Sequence, residues 1–207
     1  SPICLATSPS PNPSYTLPMH PTFLAEKFSI ASDYAAYLAT GTTEQQRRWT
    51  QVYDLATVSP AQTDFISTFV RTLHVLVVSG IWCGDCVQQV PLVQRLADAN
   101  PSRVKLRILD RDAHKDLSSM LKINGGDRVP VVLLLSEDFE PCATLGDRTL
   151  SRYRAIALRQ LGASCATGIG GPDVDEMKAT QQDWLNELER VQLMLRISPR
   201  LRMKYGD

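Results

Sequence analysis

The chain has 207 residues, 43% of them apolar, with 22 basic residues against 22 acidic ones and a formal net charge of zero. That size suits one domain with additions and an ordinary core. The charge balance argues against binding through a broad field, so neither nucleic acid nor a membrane surface is an expected partner, and no apolar run approaches the ~20 residues of a spanning helix.

Residues 1–21 carry six prolines among Ser, Thr and Asn and read as an extended or disordered segment. Two or three amphipathic helices follow. One is expected from Phe23 to Ala39, stopped by Gly41. A second begins at Thr43, taken as its N-cap with Gln46 three residues on, and carries Trp49, Val52, Tyr53, Leu55 and Ala56 at helical spacing. Ser59-Pro60 starts a third, with Phe65, Ile66, Phe69 and Val70 on one face and its aromatics in the core.

An apolar run, His74 to Val78, then predicts a strand, and a helical pattern begins near Val87 with Pro91 inside it. A strand is expected over Val104 to Leu109, a short helix over 115–123, and a turn at Asn124-Gly125-Gly126-Asp127. Strands follow over Val131 to Leu135 and Cys142 to Leu145, then a helix from Leu150 to Leu161. Ala163 to Pro172, rich in glycine, reads as a linker, and Val174 to Ile197 as a last amphipathic helix. The basic residues Arg196, Arg200, Arg202 and Lys204 read as a solvated tail.

The chemistry centres on Trp82-Cys83-Gly84-Asp85-Cys86, between the first strand and the helix behind it. Unpaired N–H groups at a helix N-terminus favour an anion, and the thiolate is the attacking form of a thiol. The i, i+3 spacing lets the second sulfur reach the first and close a disulfide. A Cys-x-x-Cys near a βαβ pattern is a redox signature. A structural zinc site needs four ligands, and no second pair with suitable spacing exists, so no metal is expected. His20, His74 and His114 are isolated and read as surface or core residues, Cys142 as a buried strand residue, and Cys165 as an exposed linker thiol. Asp110 and Asp112 read as turn residues at a strand end. Five cysteines, with Cys4, Cys142 and Cys165 scattered, make no disulfide framework.

Pro130 lies 44 residues after Cys86, in Arg128-Val129-Pro130-Val131, at the head of an apolar strand. With the cysteine pair and the element order over about 65–163, this chain resembles the thioredoxin superfamily. More narrowly, it is similar to a bacterial thioredoxin-like branch with a Trp-Cys-x-Asp-Cys site and extra helices in front. The resemblance implies an α/β thioredoxin-like fold, a central mixed sheet flanked by helices, with an N-terminal helical extension and a C-terminal helix. It divides the chain into a segment 1–21, a domain 22–163 (helices 22–64, core 65–163) and a linker with C-terminal helix, 164–207.

The resemblance also implies a mechanism. Cys83 attacks a substrate disulfide and Cys86 resolves the mixed disulfide. Trp82, Gly84, Asp85, Val129 and Pro130 shape the site, with an X-Pro in cis opposite the thiols. The redox pair itself serves in place of a cofactor. Partners are protein or small-molecule disulfides and an upstream dithiol or reductase donor. Two departures stand out: Asp85 replaces the Pro between the cysteines, and Val77 replaces a buried Asp six residues before the first Cys. Asp85 is expected to oppose the Cys83 thiolate and so to make the protein a reductant. Cys86 would then lose its proton to water or to Asp85. The competing reading is a thioredoxin-fold binding or scaffold module with a vestigial pair. A peroxidase is a weaker third reading, because no peroxide-activating Arg and Thr can be placed. The scattered cysteines favour a reducing compartment, so a cytoplasmic setting is expected; the chain opens on Ser-Pro-Ile-Cys without Met, where processing could have removed a signal peptide, so the periplasm is left open.

Overall fold

A computed structural model describes residues 19–162 and 176–206 of the chain. The proline-rich 1–18, the expected linker 163–172, and Cys4 and Cys165 lie outside the described residues.

Four short helices come first: α1 Pro21–Ile30, α2 Tyr34–Leu38, α3 Thr43–Leu55 and α4 Pro60–Ser67. The single helix expected over Phe23 to Ala39 is therefore two. Asp33 ends the run by capping α2, its carboxylate accepting from the Ala36 N–H at 2.8 Å. Ser32, between the two helices, is extended and exchanges backbone hydrogen bonds with Ile108 (3.0 and 2.8 Å). The cap of α3 is Thr42 with Gln45, one residue earlier than expected, and the pair closes a reciprocal capping box. Gln46 is instead spent on the Gly41 carbonyl. Ser59 and Gln62 build the same box on α4, with Pro60 in the first turn.

The sheet follows. Strand β1 is Leu73–Ser79, then helix α5 Gly84–Asp98, strand β2 Val104–Asp110, helix α6 Lys115–Ser118, strands β3 Val131–Leu135 and β4 Pro141–Leu145, and helix α7 Leu150–Leu161. Strand order is β2-β1-β3-β4, with β1 parallel to β2 and antiparallel to β3, and β3 antiparallel to β4. The expected mixed sheet flanked by helices is what the chain forms. All five residues of β3 and six of seven in β1 are buried, the pattern of strands covered on both faces. Each fully buried Leu or Val there contributes about 1.5–3 kcal/mol.

Helix α6 ends at Ser118, short of the expected 115–123: the chain tightens into i→i−3 turn bonds (Met120 N–H to Leu117 and Leu121 N–H to Ser118 carbonyls) and then forms a hairpin from Ile123. Ile123 and Gly126 exchange both backbone bonds at 3.0 Å, with Asn124 (φ 48°) and Gly125 (φ 74°) between them. Two successive left-handed residues in Asn-Gly make the tight turn that suits a two-residue hairpin.

Two C-terminal helices complete the described chain: α8 Glu176–Ile197 and α9 Pro199–Tyr205. Trp184, Leu185, Leu188, Val191 and Leu195 of α8 are buried in the common core, so that helix docks on the domain as expected. The tail reading of the basic residues is corrected by α9. Ser198 caps it, Leu201 is buried, and Arg200 and Lys204 both pair with Asp138 in the β3–β4 turn.

Candidate functional site

Strand β1 runs out at Ser79, and Gly80-Ile81-Trp82 turn the chain into α5. Cys83 is the N-cap of that helix, its backbone still extended (φ −78°, ψ 125°), so the helix begins three residues before the apolar pattern that announces it. The turn is closed by Cys83 N–H donating to the Gly80 carbonyl at 2.9 Å. One turn further in, Cys86 is fully buried, and the Gly80 N–H points at its sulfur from 3.5 Å. Both cysteines are free thiols here.

The Val129–Pro130 peptide is cis, and the Cys83 thiol reaches the Val129 carbonyl at 3.5 Å. Residues separated by 46 positions are thus brought together as the motif spacing suggests. Trp82 is half-exposed, its ring beneath the Arg111 guanidinium at 4.8 Å. Arg111 also donates to the Asp127 carbonyl at 2.9 Å and so ties the tryptophan to the loop leading into Pro130. Gly80 lies so close beneath the indole that a Cβ there would stand 2.9 Å from it. Around Gly84 a Cβ would meet nothing within 4 Å, so the surface beside Cys83 is open.

The two thiols differ sharply in acidity. The hydrogen bond from Cys86 is the largest influence on Cys83. With the backbone N–H groups of Cys86 and Asp85 it outweighs burial and brings the thiol from 9.0 down to about 6. Burial pushes Cys86 well above 9.0. The pair therefore separates into an acidic thiol at Cys83 and a buried, protonated one at Cys86 behind it.

Asp85 opposes the thiolate in the expected direction. Its charge does act against Cys83, but as the smallest influence named, and the net direction is down. The reason is where the carboxylate points. Arg148 Nη2 donates to Oδ2 at 2.7 Å, and Arg152 donates to Oδ1 through Nε (3.0 Å) and Nη2 (2.8 Å). Burial works against the Asp85 anion, yet the two arginines overcome it and hold the carboxyl below its ordinary range. With both oxygens engaged, Asp85 is also poorly placed to take a proton from Cys86. The buried hydroxyl beside that thiol is Ser79, while Val77, at the position of the missing buried acid, is an interior residue of β1.

Arg148 and Arg152 were not singled out by their sequence. One signal was present: Arg152 sits in the first turn of α7, one turn from Arg148 and without an acidic residue beside it, where the helix dipole disfavours cations. Other expected placements resolve simply. His74 packs its ring against Phe139 (4.2 Å between centroids) and bonds the Ser136 carbonyl, His20 caps α1, and Asp110 accepts from the Asp112 and Ala113 N–H groups as a turn residue. Cys142 is half-buried in β4. Among the described residues, no three His, Cys, Asp or Glu side chains converge as metal ligands, and no helix is long and apolar enough to cross a membrane.

Comparison with known proteins agrees with this architecture. The family model described as thioredoxin matches residues 31–155. Protein disulfide isomerase-like 2-3 of Oryza sativa subsp. japonica is 32% identical over 120 residues, covering 56% of this chain and 26% of the relative. Protein disulfide-isomerase like 2-2 of Arabidopsis thaliana is 30% identical over the same length and shares. The chain thus spans about a quarter of the length of the curated relatives it matches. Among solved structures, a protein of unknown function from Pseudomonas aeruginosa superposes with a TM-score of 0.64 at 22% identity, covering 81% of this chain and 97% of that one. An HIV epitope-scaffold superposes with a TM-score of 0.61 at 21% identity, covering 80% and 97%. The family match spans more than half of the chain and includes the cysteine pair, the cis-proline strand and the sheet that joins them, and on that ground the chain belongs to the thioredoxin family.

Proposed function

We propose that this protein is a thiol–disulfide oxidoreductase acting on protein disulfides through Cys83 and Cys86. The observation that carries the reading is the split between the thiols: an acidic Cys83 at a helix N-terminus beside an open surface, and a buried, protonated Cys86 behind it. In the reductive direction the Cys83 thiolate attacks one sulfur of a substrate disulfide, forming a mixed disulfide and releasing the other sulfur as a thiolate. Cys86 then loses its proton and attacks Cys83. The mixed disulfide breaks, substrate leaves fully reduced, and Cys83–Cys86 carries the oxidising equivalents. An upstream dithiol donor restores the pair by the same chemistry. The Val129 carbonyl beside Cys83 supports an extended substrate backbone docking along the proline loop, as an added strand would.

Direction follows from potential. Stabilising the thiolate favours the dithiol form and raises the potential. A thiol at about 6 lies between thioredoxin, near 7, and the strong oxidant DsbA, near 3.5. We expect a potential between those of thioredoxin and protein disulfide isomerase, about −270 to −180 mV. This supports net reduction in a reducing compartment and isomerisation in an oxidising one. The deciding experiment is capture by Cys86→Ser: an exchange enzyme accumulates mixed disulfides at Cys83 that dithiothreitol releases. Absence of such adducts, together with failure of the wild-type pair to oxidise in glutathione buffers, would leave a thioredoxin-fold binding module.

A further inference from the structure

The Asp85 ion pairs join three elements that are distant in sequence. Asp85 stands in the first turn of α5, between the two cysteines. Arg148 comes from the turn before α7 and Arg152 from its first turn. Glu176, at the start of α8, accepts from Arg152 Nη1 at 2.8 Å and from Arg159 at 2.5 Å. The core of this network is shielded: side-chain exposure is 18% for Asp85, 14% for Arg152 and 26% for Arg148. Bulk salt screens such pairs weakly.

A carboxylate at this position has two opposite effects. It suits the helix N-terminus, and it disfavours a second anion on the neighbouring sulfurs. Two cations on its oxygens keep the first effect and cancel most of the second. The other charged groups in the cleft beside Gly84 and Asp85 are Arg48, Arg159 and Glu176, and on the opposite side Arg111 sits over Trp82. The positions of Arg148 and Arg152 are specified independently of the cysteines. Buried Gln89 donates to the Asp147 carbonyl at 2.6 Å and accepts from Thr149 N–H at 3.3 Å, while Asp183 of α8 accepts from the Ser151 N–H at 2.8 Å.

We propose that Arg148 and Arg152 are positioning residues of the redox site, holding and neutralising Asp85 so that an acid between the two cysteines does not suppress the Cys83 nucleophile. The proposal rests on the exchange chemistry above for its purpose. Its measurement, made on the reduced protein, does not depend on turnover. Neither arginine touches the sulfurs; both act through Asp85.

The test follows the ultraviolet absorbance of the Cys83 thiolate against pH in the full chain. Four proteins are compared: wild type, Arg148→Gln/Arg152→Gln, Asp85→Asn, and the triple variant. The paired arginine substitution is expected to raise the Cys83 midpoint by about one pKa unit, a tenfold fall in the thiolate-to-thiol ratio at a given pH. Asp85→Asn is expected to titrate at or below wild type, because the arginine charges are left unneutralised, and the triple variant to return close to wild type. An unmoved midpoint in the arginine variant overturns the proposal. So does a triple variant that titrates as high as the arginine variant, since Asp85 would then not be the charge that the arginines offset. Arg148→Gln alone, at the more exposed end of the clamp, gives the same comparison in the same direction if circular dichroism shows the paired substitution unfolding. Wild-type protein that titrates as expected yet traps no substrate would refute the oxidoreductase reading and leave the clamp standing.

Discussion

The indole N–H of Trp49 donates to the Ile81 carbonyl at 2.9 Å, joining a helix of the N-terminal layer to the turn that presents the cysteines. Trp49 is fully buried, with the rings of Tyr34 and Tyr37 at 6.1 and 5.6 Å. The layer in front of the sheet is therefore part of the site's support. Trp49→Phe keeps most of the apolar area and deletes the donor, leaving a carbonyl of the cysteine-bearing turn without it. We expect a loss of about 1–3 kcal/mol in urea unfolding, with slower disulfide exchange from a looser turn. Unchanged stability and unchanged exchange would separate the N-terminal helices from the site.

Cys83 sets a pH dependence with a definite sign. Its folded value, about 6, lies below the ordinary 9.0. A depressed acid stabilises the fold fully above its unfolded value and loses that contribution as pH falls through the folded value. Cys86, shifted the other way, weakens the fold only as pH rises past 9.0. The reduced protein should therefore gain stability relative to the oxidised form between about pH 6 and pH 9, with alkylation of Cys83 rising through about pH 6 and levelling above it. Midpoints of both forms measured across that range test this. A reduced form that gains nothing there contradicts the acidity assigned to Cys83.

Gln89 is fully buried and spends its amide on the turn that carries Arg148. Gln89→Ala strands the Asp147 carbonyl and the Thr149 N–H and leaves a small void. The expected cost is about 1–3 kcal/mol. The Cys83 midpoint should rise as well, because Arg148 loses its support. Thermal unfolding and thiolate titration on the same variant separate the two effects.

Sequence pattern made the sheet and the thiols legible for a simple physical reason. Strands β1 and β3 are covered on both faces, so they are apolar almost throughout, and the cysteines and Pro130 are rare residues at informative spacing. The breaks and couplings were less visible. Helical periodicity runs through Ser32, and what interrupts it is pairing with Ile108, which lies 76 positions away and leaves no local mark. Helix α9 looked like a charged tail because its cations are exposed, although their partner Asp138 lies on a distant turn. Asp85 was correctly placed between the sulfurs, but proximity in sequence gave the sign of its effect without the arginines that cancel it.

The two hydrogen bonds between Ser32 and Ile108 carry a further consequence. Strand β2 stands at one end of the strand order, where its unpaired amides and carbonyls would otherwise template the addition of another chain. A single extended residue, held in place by the capped helix that follows it, occupies the middle of that edge. The break that interrupts the first helix thus spends the protein's own backbone on part of that edge, alongside the exposed charge of Lys105.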